Sequence, residues 1–192
     1  MSKLRKTGFS LIEVLISVFV LALGVIGTAG MQLTALRTTQ QSMFQTTALE
    51  LAAEMADKMR ANPGQMKRAD NLYLKVDYQS ASGTEPAAPA TMCYGKAASC
   101  GADQLAEFDI YEWEKRIKES LPGGRALICR DTAPWDGDAG ALTWTCTGSA
   151  ADSVSLVIKI GWQAKNPDGS LVRDAAKRFP PSVALPVEPY TK

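Results

Sequence analysis

The sequence predicts an α+β fold in which a long N-terminal helix, membrane-spanning in its first half, packs by its second half against a C-terminal antiparallel β-sheet. Residues 14–31 carry no charge and form a run long enough to cross a bilayer core. Helical periodicity continues beyond this run as far as Pro63, whereas strand-like alternation is concentrated after residue 124. A second, shorter helix and two disulfides complete the expected architecture.

The apolar run is expected to stay in the chain as a single membrane anchor. A cleaved secretory signal is the alternative, but this run is longer than the apolar core of such a signal and no clear Ala-x-Ala-like site follows it. Three basic residues, Lys3, Arg5 and Lys6, precede the run, and of the basic residues after it only Arg37 lies close. This asymmetry predicts a cytoplasmic N-terminus and an exported head formed by residues 62–192.

One helix is expected from Phe9 to about Ala61, with residues 9–31 in the membrane. At 1.5 Å per residue it would be about 78 Å long, so a bilayer core of about 30 Å accounts for less than half of it. The projecting half carries an apolar stripe, and the protein's own head is the expected partner of that stripe. The stripe consists of Phe44, Ala48, Leu51, Met55 and Met59.

The head is expected to contain one helix and an antiparallel meander. Helical character resumes at residues 103–124 with one apolar face and ends at a Pro-Gly-Gly sequence. Residues 79–91 are expected to form a loop, and the proline-rich segment 177–192 is expected to be irregular. Strands are expected at 125–130, 141–147 and 153–164, and the third places on the face toward the helix stripe Val154, Leu156, Ile158 and Ile160.

Four cysteines in a region expected to be exported predict two disulfides. Three connectivities are possible. Cys129 and Cys146 lie in strand-like runs that flank an Asp-Gly-Asp turn, so these two are expected to face each other across a hairpin, which leaves Cys93 to join Cys100. A zinc site is the less favoured alternative because the chain has no Cys-x-x-Cys pair and no histidine.

Composition argues against the commonest forms of catalysis. The chain has no histidine, which removes Ser-His-Asp and Cys-His nucleophile pairs and histidine-ligated metals. The net charge is +1 and the basic residues are scattered, so neither a nucleic-acid partner nor a phosphate-binding surface is predicted. We therefore expect no enzyme activity, no metal and no cofactor.

Two further groups of residues are assigned to structure rather than to ligand binding. Asp136 and Asp138 suggest a calcium loop, but the third acidic position and the distal glutamate of such a loop are missing, which favours an ordinary turn. Three tryptophans are expected in the core or in strand pairs rather than on a ligand platform. They are Trp135, Trp144 and Trp162.

Glu13 is the one ionisable residue between Phe9 and Met31. A carboxylate costs up to about 3 kcal/mol at the bilayer centre and less near the interface. In one interpretation Glu13 simply reaches the cytoplasmic headgroups. In the other, the chain is cut between Gly8 and Phe9, and the new amino terminus lies one helical turn from Glu13 as its cationic partner, in the same or a neighbouring subunit.

The segment KTGFSLIEVLISVFVLALGV, residues 6–25, resembles the prepilin signature of type IV pilins and type II secretion pseudopilins. It has the short basic leader, Gly8, an aromatic residue at position 9 and Glu13 four residues later. The opening GFSLIEVLISVFVLALGVIG and the later TTALELAAEMADKMRAN are similar to the minor-pilin family PilV, up to about residue 62. The resemblance implies a pilin-like fold with residues 1–8 as the leader peptide.

The resemblance also implies a function and a set of partners. A dedicated prepilin peptidase of the inner membrane would cleave after Gly8 and methylate the new amino group of Phe9, and Glu13 would pair with the terminal amine of an adjoining subunit. The implied protein is a non-enzymatic minor pilin that helps to initiate a type IV pilus. Its partners would be this peptidase and methylase, other minor pilins, the major pilin and the inner-membrane assembly platform. It would cross the bacterial inner membrane once, with a periplasmic head, before it enters the pilus.

This chain departs from the pattern of the major pilins at the outer end of the membrane run. Major pilins commonly carry a proline near the outer end of the membrane run, where this chain has Gly24, Gly27 and Gly30. Each glycine weakens a helix by up to about 1 kcal/mol relative to alanine, so this stretch could loosen when neighbouring subunits replace lipid. Close packing of helices through small residues is an equal alternative.

Two other functions stay open on the sequence. A type II secretion pseudopilin shares the leader and the glutamate, and the genomic neighbourhood would separate the two. A signal-anchored periplasmic binding protein or enzyme is the more distant alternative, which a metal or hydrolase screen of the head would test.

Overall fold

The computed structural model describes residues 8, 10–80, 83–95, 99–148, 154–174 and 177–188. Helix α1, Leu11–Ala61, is continuous over 51 residues and is therefore about 77 Å long. The predicted start at Phe9 lies outside the described residues, whereas the predicted end is confirmed. The chain turns there because Pro63 lacks the N–H that a continuing helix needs, and the Asn62 side chain caps the next short helix by accepting from the Gln65 amide.

The described part of the head contains one further long helix and two antiparallel sheets. The main sheet has the strand order β1-β2-β5-β6 and the small sheet pairs β3 with β4. The predicted second helix is confirmed as α3. In chain order the elements after α1 are α2 (Pro63–Met66), a 3-10 helix (Leu72–Lys75), β1 (Asp77–Gln79), α3 (Ala102–Ser120), β2 (Arg125–Arg130), β3 (Trp135–Asp136), β4 (Ala141–Leu142), β5 (Leu156–Gly161) and β6 (Val183–Val187).

The core lies between α1, α3 and one face of the main sheet. The predicted stripe of α1 is confirmed, because its residues from Ala48 to Met59 are buried and Phe44 packs against Trp162 with ring centroids 6.5 Å apart. Helix α3 adds Trp113, whose indole N–H donates to the Leu51 carbonyl at 2.8 Å. The remaining core side chains of α3 and the sheet include Ala106, Ile117, Leu121, Ile128, Ile158 and Ile160.

The second face of the main sheet is covered by the segment 131–148, and here the prediction of a strand at 141–147 is wrong. The extended part is limited to β4, which pairs with β3 around the expected Asp-Gly-Asp turn. Beyond it, the Thr143 and Thr145 carbonyls both accept from the Lys159 ammonium group at 2.7 Å, so they are turned toward β5 rather than into a strand ladder. Trp144 packs against Gly161 in the same segment.

Both disulfides are present, with the expected partners. Cys93 pairs with Cys100, and Cys129 pairs with Cys146 across a Cα–Cα distance of 6.3 Å. The hairpin expected to carry the second bond is not formed, since Cys129 lies opposite Val157 of β5 and Cys146 lies in the covering segment. This disulfide therefore ties the covering segment to the sheet.

The prediction of an irregular C-terminal segment is also wrong, because residues 183–187 form β6. Pro186 lies opposite Val157 within this strand. Proline is tolerated there because β6 is an edge strand, and one side of an edge strand needs no N–H donors. Strand β1 at the opposite edge was not expected either, and it includes Gln79 from the predicted loop.

Candidate functional site

The N-terminal half of α1, residues 11–36, is uncovered by the described part of the head. Its large apolar side chains are exposed, among them Leu11 at 78%, Phe19 at 64% and Ile26 at 69%. Within the described residues, α1 is the helix that is long and apolar enough to cross a membrane. Between Glu13 and Arg37 this half carries no charge, a span of about 35 Å. Its apolar surface can be buried only in lipid or against other chains.

The helix begins beside the predicted cleavage junction. Ser10 is the residue before the first turn, and its carbonyl accepts from the amides of Glu13 at 3.0 Å and Val14 at 3.3 Å. Glu13 thus lies in the first turn, where the helix dipole favours a negative charge. Gly8 is exposed, whereas Phe9 and the basic leader lie outside the described residues. The structure therefore places Glu13 in the first turn of α1, five residues after Gly8, and its predicted partner, the Phe9 amine, lies outside the described residues.

The three glycines of the outer half lie on an open surface. A Cβ atom added at Gly24, Gly27 or Gly30 would meet nothing within 4 Å, and the helix runs through all three positions. Nothing inside the described subunit therefore requires a residue without a side chain here. Both interpretations of the glycines, helix loosening and close packing, concern contacts with other molecules.

The five hydroxyl side chains of α1 that precede Ser42 form a feature that the sequence analysis missed. Each donates to a backbone carbonyl three or four residues earlier in the same helix, at distances of 2.7 to 3.3 Å. A hydroxyl whose hydrogen bond is made within its own helix needs no water and is compatible with apolar surroundings. The residues are Ser17, Thr28, Thr34, Thr38 and Thr39.

The head attaches to α1 from Arg37 onward. The Arg37 guanidinium donates to the Pro167 carbonyl at 3.3 Å, in the segment that follows β5. One helical turn later the Trp162 indole donates to the Gln41 side chain, and the Gln45 side chain donates to the Ser182 carbonyl. These contacts mark the base of the head, where the uncovered half of α1 leaves it.

A polar network joins α1 to α3 at the other end of the head. The Lys58 ammonium group lies 3.4 Å from carboxylate oxygens of both Glu54 and Asp109, and the Tyr73 hydroxyl donates to Asp109 at 3.3 Å. Burial raises the pKa of Asp109, and the nearby Lys58 opposes that rise. Every member of this network has a partner, so it serves to hold the two helices together.

The other residues that the sequence singled out have structural roles. The Asp136 carboxylate accepts from the backbone amides of Asp138 and Ala139, which closes an ordinary turn. Trp144 and Trp162 are buried, whereas Trp135 is 58% exposed at the start of the small hairpin. These residues do not converge on the uncovered half of α1.

Two family models match the chain. Residues 3–29 match the prokaryotic N-terminal methylation motif, and residues 30–111 match a model described as Tt1218-like, type IV pilin Tt1218. No curated protein and no solved structure matches. The motif covers the predicted junction and the first part of α1, and it implies processing by a prepilin peptidase and assembly with other pilins. Together with the uncovered apolar helix, the two matches support a type IV pilin, a structural subunit anchored in a membrane.

Proposed function

We propose that the protein is a minor pilin of a type IV pilus, of the PilV kind, that helps to initiate pilus assembly. It would be held in the bacterial inner membrane by one pass of α1, with the head in the periplasm, before it enters the pilus. The observation that carries the proposal is the uncovered half of α1, because residues 11–36 follow the predicted junction and bury nothing against the described head. The pilin match over residues 30–111 favours the pilus over the secretion pseudopilin.

Assembly would replace lipid around the uncovered half by the equivalent helices of other minor pilins and of the major pilin. Helix association in apolar surroundings depends on close packing and on satisfied polar groups, and the hydroxyls of this half are already satisfied within the helix. The subunit can therefore move from lipid to protein contacts without exposing these hydrogen bonds.

Glu13 would set the axial position of the subunit. After cleavage behind Gly8, the methylated amino group of Phe9 is the cation nearest in sequence to the Glu13 carboxylate. A charge buried without its partner is strongly unfavourable, so a neighbour displaced along the helix axis would leave both charges unpaired. Pairing between adjacent subunits thus favours one register.

The processing part of this proposal is tested by the mass of the mature N-terminus. From cells with an active prepilin peptidase we expect a chain that begins at Phe9 and carries one added methyl group, and from cells without it the intact leader. A Gly24→Ala variant, altered far from the junction, serves as the control and should be processed normally. Recovery of the full leader from a strain that makes normal pili would overturn the proposal.

The assembly part is tested by Glu13→Val, which should still insert in the membrane but should fail to co-purify with partner pilins. Loss of the carboxylate leaves the Phe9 amine unpaired in the assembled helices. Glu50→Val is the matched control, because Glu50 lies on an exposed face of the head half of α1. Normal recovery of partners with Glu13→Val would refute the register role.

A further inference from the structure

Folding gathers basic side chains that are far apart in the sequence into one pocket at the base of the head. Arg125 comes from β2, and the other basic residues come from the segment between β5 and β6. The pocket has a volume of about 230 Å³ and also contains two aromatic rings. Its basic and aromatic lining consists of Arg125, Arg173, Lys177, Arg178, Trp144 and Phe179.

The pocket lies at the end of the sheet nearest the uncovered half of α1. Arg125 is paired in register with Gly161, and the following residue, Trp162, donates to Gln41 of α1. Gln41 lies five residues after the uncharged run ends at Leu36, which corresponds to about 8 Å along the helix. The headgroup layer of a bilayer is roughly 5–8 Å thick on each side. Residues 14–36 carry no charge and span about 35 Å, which a bilayer core of about 30 Å accommodates when the helix is tilted. With this whole stretch in the bilayer, rather than residues 9–31 as expected from the sequence, the pocket is at the height of the lipid headgroups.

The pocket carries an excess of positive charge. Arg125 pairs with Asp77 at 3.1 Å, and Arg178 pairs with Asp174 at 3.3 Å. No carboxylate of the described residues lies within ion-pair distance of Arg173 or Lys177. Two of the four cations are therefore uncompensated.

Local contacts hold two of the guanidinium groups in place without neutralising them. The Arg125 guanidinium lies 4.3 Å from the ring centroid of Trp144, and that of Arg173 lies 4.5 Å from the centroid of Phe179. Arg173 also donates to the Lys177 carbonyl at 2.6 Å. Lys177 has a φ of 60°, a conformation that residues other than glycine adopt at a cost. The backbone is thus constrained at Lys177, which lines the pocket.

We propose that this pocket binds the phosphate group of an anionic phospholipid in the outer leaflet of the membrane that α1 crosses. A guanidinium and an ammonium group together match a phosphate, the first by paired hydrogen bonds and the second as a point charge. A lipid fits better than a soluble anion because the bilayer that holds α1 presents its headgroups at the height of the pocket. The inference rests on the membrane-spanning part of the proposed function and is independent of processing and of Glu13.

The contact would hold the head in one orientation against the membrane before assembly. A pilin that leaves the bilayer must break it, so the pocket would stabilise the membrane-bound state relative to the extracted one. The strength of the contact would depend on the anionic lipid content of the outer leaflet and on salt.

The test compares lipid binding to the full-length protein in neutral detergent, measured by native mass spectrometry with phosphatidylglycerol and phosphatidylcholine in equal amounts. We expect a preference for phosphatidylglycerol that falls about fivefold for each cation removed in Arg173→Gln, Lys177→Gln and their combination. The control is Lys67→Gln combined with Lys75→Gln, which removes the same charge from exposed positions at the far end of the head. It should retain the preference, and so should the charge-retaining Lys177→Arg.

Several results would overturn the inference. An equal loss in the pocket variant and in the control would show a general effect of charge. Full displacement of the lipid by inorganic phosphate at the same concentration would assign the pocket to a soluble anion. If the double variant loses the native near-UV circular dichroism, the test rests on Lys177→Gln alone, because this side chain is exposed. An unchanged preference of that variant for phosphatidylglycerol refutes the site. If the protein is processed normally and is extracted into detergent but shows no lipid preference, this inference is refuted and the proposed function is unaffected.

Discussion

Lys159 links the two layers of the head through a single buried side chain. Its ammonium group lies 2.5 Å from an Asp131 carboxylate oxygen and donates to the carbonyls of Thr143 and Thr145, and both charged side chains are completely buried. Asp131 in turn accepts from the Thr147 hydroxyl at 2.6 Å and from the Ala133 amide at 3.0 Å. The covering segment is therefore fixed to β5 by charge and hydrogen bonds in addition to its disulfide.

Lys159→Met should destabilise the head by about 3–5 kcal/mol, because it leaves the Asp131 carboxylate buried without its cation. Combining it with Asp131→Leu should recover a large part of the loss, since no unpaired charge is then left. Urea unfolding of the full-length protein in detergent, followed by tryptophan fluorescence, measures both effects. Lys115→Met, at an exposed position on α3, is the control. A loss for Lys159→Met no larger than that of the control would contradict the role of the pair.

The same pair makes the head sensitive to acid. Burial acts to raise the pKa of Asp131, but the hydrogen bonds from Lys159 and Thr147 outweigh it and hold this pKa below its ordinary value of 3.8. A carboxylate with a lowered pKa in the folded state stabilises folding above its ordinary value and loses that contribution as the pH falls through the folded value. Acid should therefore weaken the attachment of the covering segment.

Glu114 on α3 should give the opposite pH dependence. Burial raises its pKa from 4.5 to about 7, so the folded state favours the neutral carboxyl. Its contribution to stability is full below pH 4.5 and is lost as the pH rises toward about 7. Glu114→Gln should therefore stabilise the protein at pH 8 by on the order of 2 kcal/mol and leave its stability at pH 4 nearly unchanged.

Thermal unfolding at the two pH values measures the effect of Glu114→Gln. Glu107→Gln supplies the control, because it removes an exposed carboxylate from the same helix. If the two variants show the same difference between low and high pH, the burial of Glu114 is not the cause.

At the scale of elements, the helices could be predicted because their signals repeat over many turns. The stripe of α1 recurs at steps of three and four residues, and Pro63 gives a local reason for the helix to end. Strands gave weaker signals. Residues 143–147 alternate like a strand, but the carbonyls of Thr143 and Thr145 bind Lys159, a partner that alternation does not reveal. Pro186 suggested irregular structure, although at a sheet edge it is tolerated.

The candidate site was predictable to the extent that it is contiguous in sequence. Glu13 and the Gly8–Phe9 junction belong to one short motif, and an uncharged run identifies the exposed half of α1. The basic pocket could not be predicted, because tertiary packing brings Arg125 of β2 to the same pocket as Arg173, Lys177 and Arg178. The satisfied hydroxyls of α1 could have been noticed, since serine and threonine in a helix commonly donate to the carbonyl one turn earlier.

Replacing Gly24, Gly27 and Gly30 together by alanine should leave membrane insertion intact and reduce piliation. Alanine meets no atom of the described subunit at these positions and stabilises the helix by up to about 1 kcal/mol per residue. A loss of piliation with normal membrane insertion would therefore indicate that the helix must loosen during assembly. Counting pili by electron microscopy, beside a membrane-insertion assay, measures it. The control replaces Ser17, Thr28 and Thr34 by alanine, which changes the same region without removing glycines. Unchanged piliation in the glycine variant would favour close packing through small residues instead.

At the scale of the whole molecule, α1 is one continuous helix that lies partly in the core of the head and partly outside it. Residues 48–59 supply its buried stripe, whereas residues 11–36 supply nothing to the described core. The energy that folds the head and the energy that anchors the subunit thus come from different parts of the same element. Contacts at Arg37, Gln41, Phe44 and Gln45 form the boundary between them.

This division predicts the outcome of two truncations. A chain of residues 32–192 should fold as a soluble monomer with the near-UV circular dichroism of the full-length head, because the deleted part buries no core residue. A chain of residues 46–192 should be less stable by about 2–4 kcal/mol, since it loses the packing of Phe44 on Trp162 and the hydrogen bonds of Gln41 and Gln45.

Urea unfolding of the two truncated chains in the same buffer gives the difference directly, and sedimentation gives their association state. Phe44→Ala in the chain 32–192 separates the packing of that ring from the other losses, and it should account for roughly half of the difference. Equal stability of the two chains would mean that the base of the head does not depend on α1. Failure of the chain 32–192 to fold would mean that the apolar half, which contacts no described core residue, nevertheless contributes to the head, and the separation of folding from anchoring would have to be abandoned.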